Sequence, residues 1–183
     1  GVVRVSIDTA KADVAHRAVD AGATLVNDIT ASLHEVAAER GVGWVAMHMR
    51  GEPRTMQDHP HYDDVVTEVT GHLVARAEAA RRAGVAEVWI DPGIGFGKTA
   101  AHNWALLAAV PRLAATGWPV VVGTSRKSFL GGLIAGDDGT PVPPDDRLEG
   151  SVATAVRAAM DGAAMVRVHD VAATVAALEA VAT

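Results

Sequence analysis

The chain has 183 residues, 49% of them hydrophobic, and a formal net charge of −6 at pH 7. This apolar content excludes a disordered chain, and the negative charge argues against a general nucleic-acid binder. The sequence contains no cysteine, which excludes disulfides, thiolate metal sites and cysteine nucleophiles. It contains no run of 18 apolar residues, so we expect no membrane-spanning helix.

Short Val-rich segments alternate with longer helical patterns along the chain. The strands are predicted at Val2–Ile7, Thr24–Asn27, Gly43–Met47, Glu87–Ile90, Pro119–Gly123 and Ala164–Val168. The helices are predicted at Ala12–Ala21, Leu33–Arg40, Tyr62–Ala83, Ala101–Ala115, Lys127–Ile134, Arg147–Asp161 and Val171–Ala182. Nearly continuous apolar character is typical of parallel strands buried on both faces. The strict alternation therefore predicts a parallel α/β fold with right-handed crossovers.

Glycines mark the predicted helix ends. A glycine follows five of the helices and precedes a strand, at Gly22, Gly41, Gly84, Gly117 and Gly162. Such glycines are typical C-terminal caps. The stretch Gly136–Asp146, with three prolines and four aspartates, predicts a mobile surface loop.

Polar residues end or follow every predicted strand. They are Asp8-Thr9, Asn27-Asp28, His48 with Arg50, Asp91, Ser125-Arg126-Lys127, and Arg167 with His169. In a closed barrel all carboxyl strand ends meet at one mouth, whereas in an open sheet only strands near the switch point share a site. Six polar ends among six strands therefore favour a barrel. Since a (β/α)₈ barrel typically needs about 250 residues, we expect only part of one.

The residue types at these ends point to two kinds of ligand group. Asp8, Asn27 and Asp91 offer carboxylates and an amide, which suit a flat heterocycle bearing an N–C–N donor array. Four further residues supply positive charge and, from the arginines, forked donors, which suit phosphate or pyrophosphate; they are Arg126, Lys127, Arg167 and His169. A single Asp that follows a strand can instead be the N-cap of the next helix. This alternative to a ligand-binding role is open for Asp8 and for Asp28.

Two further patterns have plainer interpretations. The segment Gly93–Thr99 resembles a phosphate-binding loop, but Pro92 stands where that motif requires Gly. Its glycines are expected to let the backbone pass close to a ligand. The histidines His48, His59 and His61 are expected to be loop and surface residues rather than a metal cluster.

Taken in order, the motifs resemble those of the dihydropteroate synthase family. They are Ser6–Thr9, Asn27–Ile29, Met47–Met49, Thr55–Gln57, Asp91–Lys98, Ser125–Phe129 with Gly131, Arg147–Ser151 and Arg167–Asp170. Any one of them is weak evidence, but the series follows the family's order and spacing over the whole chain.

This resemblance implies a TIM-type (β/α)₈ barrel of which strands 3–8 and their helices are present. Residues 1–183 would form a single pterin-binding barrel domain that is incomplete at its N-terminus, and we expect the natural protein to be longer. The implied pterin-binding residues are Asp8, Asn27, Ile29, Met47, Asp91, Phe96, Gly123 and Lys127. The implied pyrophosphate and p-aminobenzoate residues are Ser125, Arg126, Arg167 and His169. Those implied to act in catalysis are Asp8, Lys127, Arg167 and His169.

The resemblance also implies a reaction, a cofactor and a setting. The family condenses 6-hydroxymethyl-7,8-dihydropterin pyrophosphate with p-aminobenzoate in folate biosynthesis, with Mg²⁺ on the pyrophosphate. The protein ligand of Mg²⁺ is expected in an N-terminal loop outside this chain, so no metal ligand is expected within it. A cytoplasmic homodimer is expected.

Three alternatives stay open. The first is a pterin-binding methyltransferase domain. Such a domain needs no pyrophosphate site, so Ser125–Lys127 and Arg167–His169 argue against it. The second is a non-catalytic paralogue or fragment of the synthase family. The third is some other phosphate-binding barrel.

Overall fold

Six short parallel strands alternate with helices in a computed structural model that describes residues 3–133, 135 and 139–182. The strands are β1 (Ser6–Asp8), β2 (Leu25–Asp28), β3 (Gly43–Met47), β4 (Val88–Asp91), β5 (Val121–Val122) and β6 (Met165–Val166). The helices are α1 (Ala12–Asp20), α2 (His34–Arg40), α3 (Val65–Arg82), α4 (Ala100–Ala108), α5 (Val110–Ala114), α6 (Ser128–Leu133), α7 (Leu148–Met160) and α8 (Val171–Val181). A 3₁₀ turn at Pro144–Asp146 precedes α7.

The strands lie side by side in chain order. Strands β1 to β4 form one sheet, β5 and β6 pair with each other, and a parallel bridge between Ile90 and Val120 joins the two groups. The predicted parallel α/β fold is therefore confirmed. Arg167, just after β6, forms an ion pair with Asp8 at the end of β1. The sheet therefore curls until its first and last strands approach each other.

Alternation of side chains along each strand separates two apolar clusters. The larger cluster lies between the sheet and the helices and includes Val26, Trp44, Ala46, Ile90 and Val122. The smaller cluster lies on the concave face and contains Leu25, Val45 and Val121, with Trp89 and Met165 packed against it. The concave face is thus apolar along the strands, and the next inward-facing residues are those at the strand ends.

Local chemistry moves some element bounds from their predicted positions. The predicted helix 101–115 is two helices, since Pro111 lies in the first turn of α5 and lacks an N–H to continue α4. Helix α3 begins at Val65 rather than Tyr62, because the Asp64 side chain accepts hydrogen bonds from the N–H groups of Val66 and Thr67. The predicted bounds at Val2 and Ile134 lie outside the described residues.

The glycines predicted as caps adopt the expected conformation, with positive φ at Gly22, Gly41, Gly84, Gly117 and Gly162. Part of the predicted loop before α7 is bound to neighbouring residues. Residues 136–138 lie outside the described residues, but the Val142 carbonyl accepts hydrogen bonds from the Arg147 guanidinium, and Asp145 pairs with Arg126. Among the described residues, no helix combines the length and apolar character needed to cross a membrane.

Candidate active site

One cavity opens at the carboxyl ends of the strands. Its volume is about 550 Å³. The apolar residues of the concave face each lie two positions before a residue that lines this cavity. Because side chains two positions apart point to the same face of a strand, the cavity-lining residues face the same way; they are Asn27, Met47, Asp91, Gly123 and Arg167. Asp8 joins them from β1. The period-two geometry of strands thus brings these distant residues to one place.

The cavity gathers every predicted site residue. Those that line it are Asp8, Asn27, Ile29, Met47, Asp91, Phe96, Gly123, Ser125, Arg126, Lys127, Arg167 and His169. Gly93, Ile94, Pro144 and Val168 also line it. The predicted site residues therefore form one continuous surface.

Asp91 is the buried acid of the cavity. Its side chain is 6% exposed, and Oδ1 accepts a hydrogen bond of 2.7 Å from the Gly93 N–H. Burial raises the pKa of Asp91 to about 6, while the Gly93 N–H and the charges of Lys127 and Lys98 oppose that shift. The carboxylate is therefore held in a fixed orientation in a poorly solvated position, where it can accept hydrogen bonds from a ligand.

Lys127 lies directly before α6 and faces the same space. Its Nζ is 4.1 Å from the centroid of the Phe96 ring, a cation–π contact. Burial lowers the pKa of Lys127, and the charge of Asp91 opposes this shift. Gly95 leaves room for it, since a Cβ there would lie 3.1 Å from Lys127 Cδ. Lys127 therefore presents a partly desolvated donor beside the buried acid.

A cationic group lies at the more exposed edge. Arg167 Nη2 is 3.0 Å from Asp8 Oδ2, and both side chains are about half exposed. The Ser125 hydroxyl lies 2.9 Å from His169 Nδ1 and accepts a hydrogen bond of 3.2 Å from the His169 N–H. Ser125 thus fixes the His169 ring at the cavity edge.

Arg126 is more constrained than its sequence context indicates. Its guanidinium forms a two-point contact with Asp170, at 2.9 and 3.2 Å, and a third contact with Asp145 at 2.7 Å. The carboxylates raise the pKa of Arg126, with the Asp170 hydrogen bond as the main cause. Its backbone has φ 60°, a left-handed conformation that costs an L-residue about 1–2 kcal/mol. Arg126 lines the cavity, but two carboxylates already neutralise its charge.

The helix N-cap alternative is wrong for both aspartates, since Leu33 is the N-cap of α2, Lys11 is that of α1, and neither helix has a side-chain cap hydrogen bond. Asp28 is fully buried, and its carboxylate accepts hydrogen bonds from the N–H groups of Thr30, Ser32 and Leu33 and from Trp44 Nε1. It thereby fixes the turn that carries Ile29 into the cavity. Asp8 caps no helix and pairs with Arg167 instead.

Lys98 and His48 form a buried pair that sequence reasoning missed. Lys98 is 3% exposed, and its Nζ donates to the carbonyl oxygens of His48, Gly93 and Phe96 at 2.9–3.2 Å and lies 3.1 Å from His48 Nδ1. Burial is the main cause that lowers the pKa of Lys98 to about 7 and that of His48 to about 3. His48 was predicted to lie at the surface, which is wrong, because it is buried and its ring packs against those of Tyr62 and His72. His59 and His61 are exposed, as predicted.

The glycines of this segment approach protein rather than ligand. A Cβ on Gly93 would lie 1.9 Å from the His48 carbonyl oxygen, and one on Gly97 would lie 2.1 Å from that of Arg50. Both glycines also have positive φ. Gly93 touches the cavity, but the close approach that requires glycine is to the loop after β3. The regular Gly-x-Gly-x-Gly-Lys spacing was the one signal that two loops meet here.

Known proteins match nearly the whole of this chain. A profile of the family described as "Pterin binding enzyme" matches residues 1–169. The dihydropteroate synthase of Mycobacterium leprae is 48% identical over 98% of this chain, and the chain spans 66% of that protein's length, just under two thirds.

Solved structures of the Thermus thermophilus dihydropteroate synthase superpose with a TM-score of 0.91. The complex with 6HMPPP is 44% identical and covers 99% of this chain and 73% of the other. The complex with 4-aminobenzoate is 45% identical and covers 97% of this chain and 69% of the other. The chain therefore belongs to the pterin-binding enzyme family and, within it, to the dihydropteroate synthase family.

Proposed function

We propose that the protein is a dihydropteroate synthase, which condenses 6-hydroxymethyl-7,8-dihydropterin pyrophosphate with p-aminobenzoate to give 7,8-dihydropteroate and pyrophosphate. The observation that carries the proposal is that Asp91 and Lys127 line the same cavity as the cationic edge of Arg167 and His169. A buried acceptor and donor beside an exposed cationic edge fit a planar, amine-bearing ring with an anionic leaving group. The complexes of the Thermus thermophilus relative with 6HMPPP and 4-aminobenzoate support the same substrates.

In this proposal the pterin occupies the inner part of the cavity. The Asp91 carboxylate and the Asn27 amide bind its amino-pyrimidine edge, and Lys127 donates to the ring oxygen and nitrogen. The fixed orientation and burial of Asp91 support this role, since a desolvated carboxylate forms strong hydrogen bonds to N–H donors. The remaining proposed contacts to the ring come from Ile29, Met47, Phe96 and Gly123.

The two anionic groups belong at the outer part. Arg167 and His169 bind the pyrophosphate, while Arg126 lines this part of the cavity with its charge already neutralised by Asp170 and Asp145. Ser125 and the backbone N–H groups that begin α6 receive the carboxylate of p-aminobenzoate.

The chemistry needs charge stabilisation rather than a covalent enzyme intermediate. The C–O bond between the pterin methylene and the pyrophosphate breaks, and the electron pair leaves with the pyrophosphate. The p-aminobenzoate amine then bonds to the methylene carbon and loses a proton. Asp8 stabilises positive charge on the pterin, while Arg167 and His169 stabilise the departing anion.

Magnesium stays an expected cofactor, and the described residues do not form a site for it. Within those stretches, no three His, Cys, Asp or Glu side chains come together in a group that could hold a metal ion.

The proposal extends to the fold. We propose that β1 to β6 correspond to strands 3–8 of a TIM-type (β/α)₈ barrel and that residues 1–183 form one pterin-binding domain. The parallel strand order and the contact between Asp8 and Arg167 support it. So does a second cavity of about 210 Å³ on the concave face, where Ser6 and Leu25 face Val121 and Met165.

The setting of the protein is also a proposal. We infer a cytoplasmic homodimer from the family resemblance. Large apolar side chains exposed on α7 and α8 support the association of two copies; they are Leu148, Met160, Val171, Val175 and Val181.

A coupled assay separates the candidate functions. Pyrophosphate release that requires both the pterin pyrophosphate and p-aminobenzoate is expected of a synthase. Lys127→Ala should reduce this release about 10²–10⁴-fold with the fold intact by circular dichroism, because it removes a charge placed at the reacting ring. Lys11→Ala, at an exposed lysine before α1, is the matched control. Methyl transfer without pyrophosphate release would identify a methyltransferase domain, and tight pterin binding without product a non-catalytic paralogue.

A further inference from the structure

We propose that Arg147, Ser151 and Thr154 form a positioning stripe that holds the Lys127-bearing turn in its active shape. This set of residues, the α7 stripe, touches neither proposed substrate and acts through the turn at Thr124–Lys127. The inference rests on the proposed function to the extent that it assigns Lys127 a role in the site. The inference also assigns a role to the Arg147–Ser151 motif, which contains none of the proposed binding residues.

The turn has a conformation that its own sequence does not favour. The Lys127 N–H donates to the Thr124 carbonyl oxygen at 3.2 Å and closes a four-residue turn. Arg126 is the third residue of this turn and has a φ of 60°. Turns with positive φ at that position favour Gly or Asn, because a Cβ crowds the backbone. An arginine there needs support from outside the turn.

The α7 stripe supplies that support through both peptide groups of the strained residue. The Arg126 N–H donates to Ser151 Oγ at 2.9 Å, and the Arg126 carbonyl oxygen accepts from Arg147 Nη1 at 2.8 Å. Thr154 Oγ1 bonds to Thr124 Oγ1 at 2.7 Å, at the other end of the turn. Ser151 also donates to the Arg147 carbonyl oxygen at 2.6 Å, which leaves its lone pairs for the Arg126 N–H.

The placement of the three residues of the α7 stripe follows from helical spacing. Spacings of four and then three residues place 147, 151 and 154 on one helical face. All three side chains are buried, with Ser151 at 2% exposure. Buried polar groups that are fully hydrogen-bonded specify one arrangement, because every alternative leaves a group without its partner. This arrangement fixes the direction in which Lys127 leaves the turn.

Arg147 ties a second cavity wall to the same turn. Its Nε and Nη2 donate to the Val142 carbonyl oxygen at 2.9 and 2.7 Å, next to the turn that carries Pro144 into the cavity. Within the described residues Arg147 forms no salt bridge with a carboxylate, so its guanidinium serves backbone oxygens. Gly131 leaves the space, since a Cβ there would lie 2.6 Å from Arg147 Nε.

A double-mutant cycle tests the proposal. Ser151→Ala removes the acceptor for Arg126, and Arg126→Gly makes positive φ favourable without support. We expect Ser151→Ala to lower kcat/KM for pterin pyrophosphate about 10- to 100-fold in the wild-type background, as a small misplacement of a site residue does. In the Arg126→Gly background the same change should cost at most about threefold, since the turn no longer needs holding. Ser151→Thr, which keeps the hydroxyl, should restore most of the activity.

Amide hydrogen exchange gives a readout that needs no turnover. The Lys127 N–H bonds within the turn and not to Ser151, so faster exchange at Lys127 in Ser151→Ala reports a loosened turn. Arg126→Gly should suppress that acceleration. Arg147→Met should also accelerate it, whereas Arg157→Met, at an exposed arginine of the same helix, should not.

The outcomes separate this inference from the proposed function. Equal losses from Ser151→Ala in both backgrounds, with unchanged Lys127 exchange, would overturn the stripe while wild-type pyrophosphate release stands. Absence of wild-type pyrophosphate release would instead remove the proposed function, and the exchange cycle would still decide whether α7 holds the turn.

Discussion

Arg167 and Asp8 lie 159 residues apart in sequence, and Arg167 Nη2 meets Asp8 Oδ2 at 3.0 Å across the cavity edge. Their proposed roles differ, since Asp8 faces positive charge on the pterin and Arg167 the pyrophosphate. In the free protein each neutralises the other, so substrate binding must separate or share the pair. With side chains 60% and 47% exposed, that pair is weak, and separating it costs less than about 1 kcal/mol.

Asp8→Asn should therefore affect binding and turnover in opposite directions. We expect pyrophosphate to bind about two- to fivefold more tightly, because Arg167 loses a competing carboxylate. We expect kcat to fall at least about tenfold, because the charge that stabilises the cationic pterin is gone. Isothermal titration with pyrophosphate and steady-state kinetics measure the two effects.

The matched control is Asp20→Asn, at another exposed aspartate, which pairs with Arg40 away from the cavity. It should change neither quantity. Weaker pyrophosphate binding in Asp8→Asn would show that Asp8 orients Arg167 rather than competing for it.

Asp91→Asn should lower the affinity for pterin and raise the stability of the fold at alkaline pH. The substitution turns one acceptor into a donor facing ring N–H groups, so pterin affinity should fall about 10- to 100-fold. The raised pKa of Asp91, about 6, means that ionising it in the folded state is unfavourable. Asp91 therefore contributes its full stability only where the pH is below its unfolded-state pKa, because it is then protonated in both states. This contribution is lost as the pH rises through about 6. The variant should thus be more stable than the wild type at pH 8, by on the order of 2–3 kcal/mol, and similar to it near pH 4.

Urea unfolding at the two pH values, with a fluorescence titration of pterin, measures both parts. Wild-type pterin affinity should also decrease as the pH falls below about 6, since a protonated Asp91 accepts fewer hydrogen bonds. Unchanged pterin affinity in Asp91→Asn would remove this residue from the pterin site.

The strand ends could be predicted because their placement follows from one periodicity. Once Leu25, Val45 and Val121 face inward, the residues two positions later must face the same way. Asn27, Met47 and Gly123 therefore reach the cavity whatever the loops do. The difference between Asp8 and Asp28 follows the same rule, because one residue of offset turns a side chain to the other face.

The rest depends on contacts that no local pattern encodes. Lys98 and His48 are 50 residues apart, and their pairing requires the loops after β3 and β4 to pack together. The left-handed conformation of Arg126 is hidden because positive φ is usually signalled by glycine. Its support comes from α7, which reaches the turn only in the folded structure.

Lys98→Met should destabilise the protein and flatten its pH dependence. Four acceptors lose their shared donor, at a cost on the order of 2–4 kcal/mol near pH 7. The folded-state pKa of Lys98, about 7, lies below its ordinary value of 10.5. The unfolded chain therefore binds this proton more tightly between those values, and wild-type stability gains from Lys98 as the pH rises above 7. Lys98→Met should lose that gain.

Urea unfolding at pH 7 and 9.5 tests this prediction, with Lys11→Met as the exposed lysine control. The slope of the free energy of unfolding against pH should decrease in Lys98→Met by an amount equivalent to at most one bound proton. It should stay unchanged in Lys11→Met. An identical slope in all three proteins would mean that Lys98 ionises in the folded state as an ordinary lysine does.

Ser125→Ala should affect both substrates, whereas His169→Ala should affect one. The Ser125 hydroxyl holds the His169 ring at 2.9 Å and is also the proposed ligand of the p-aminobenzoate carboxylate. We therefore expect Ser125→Ala to raise the KM of p-aminobenzoate and that of pterin pyrophosphate by about 5- to 20-fold each, the second through the released imidazole. His169→Ala removes the imidazole but leaves the serine, so it should raise the KM of pterin pyrophosphate alone. If Ser125→Ala reproduces His169→Ala and leaves the p-aminobenzoate KM unchanged, Ser125 is a support for His169 and the carboxylate binds elsewhere.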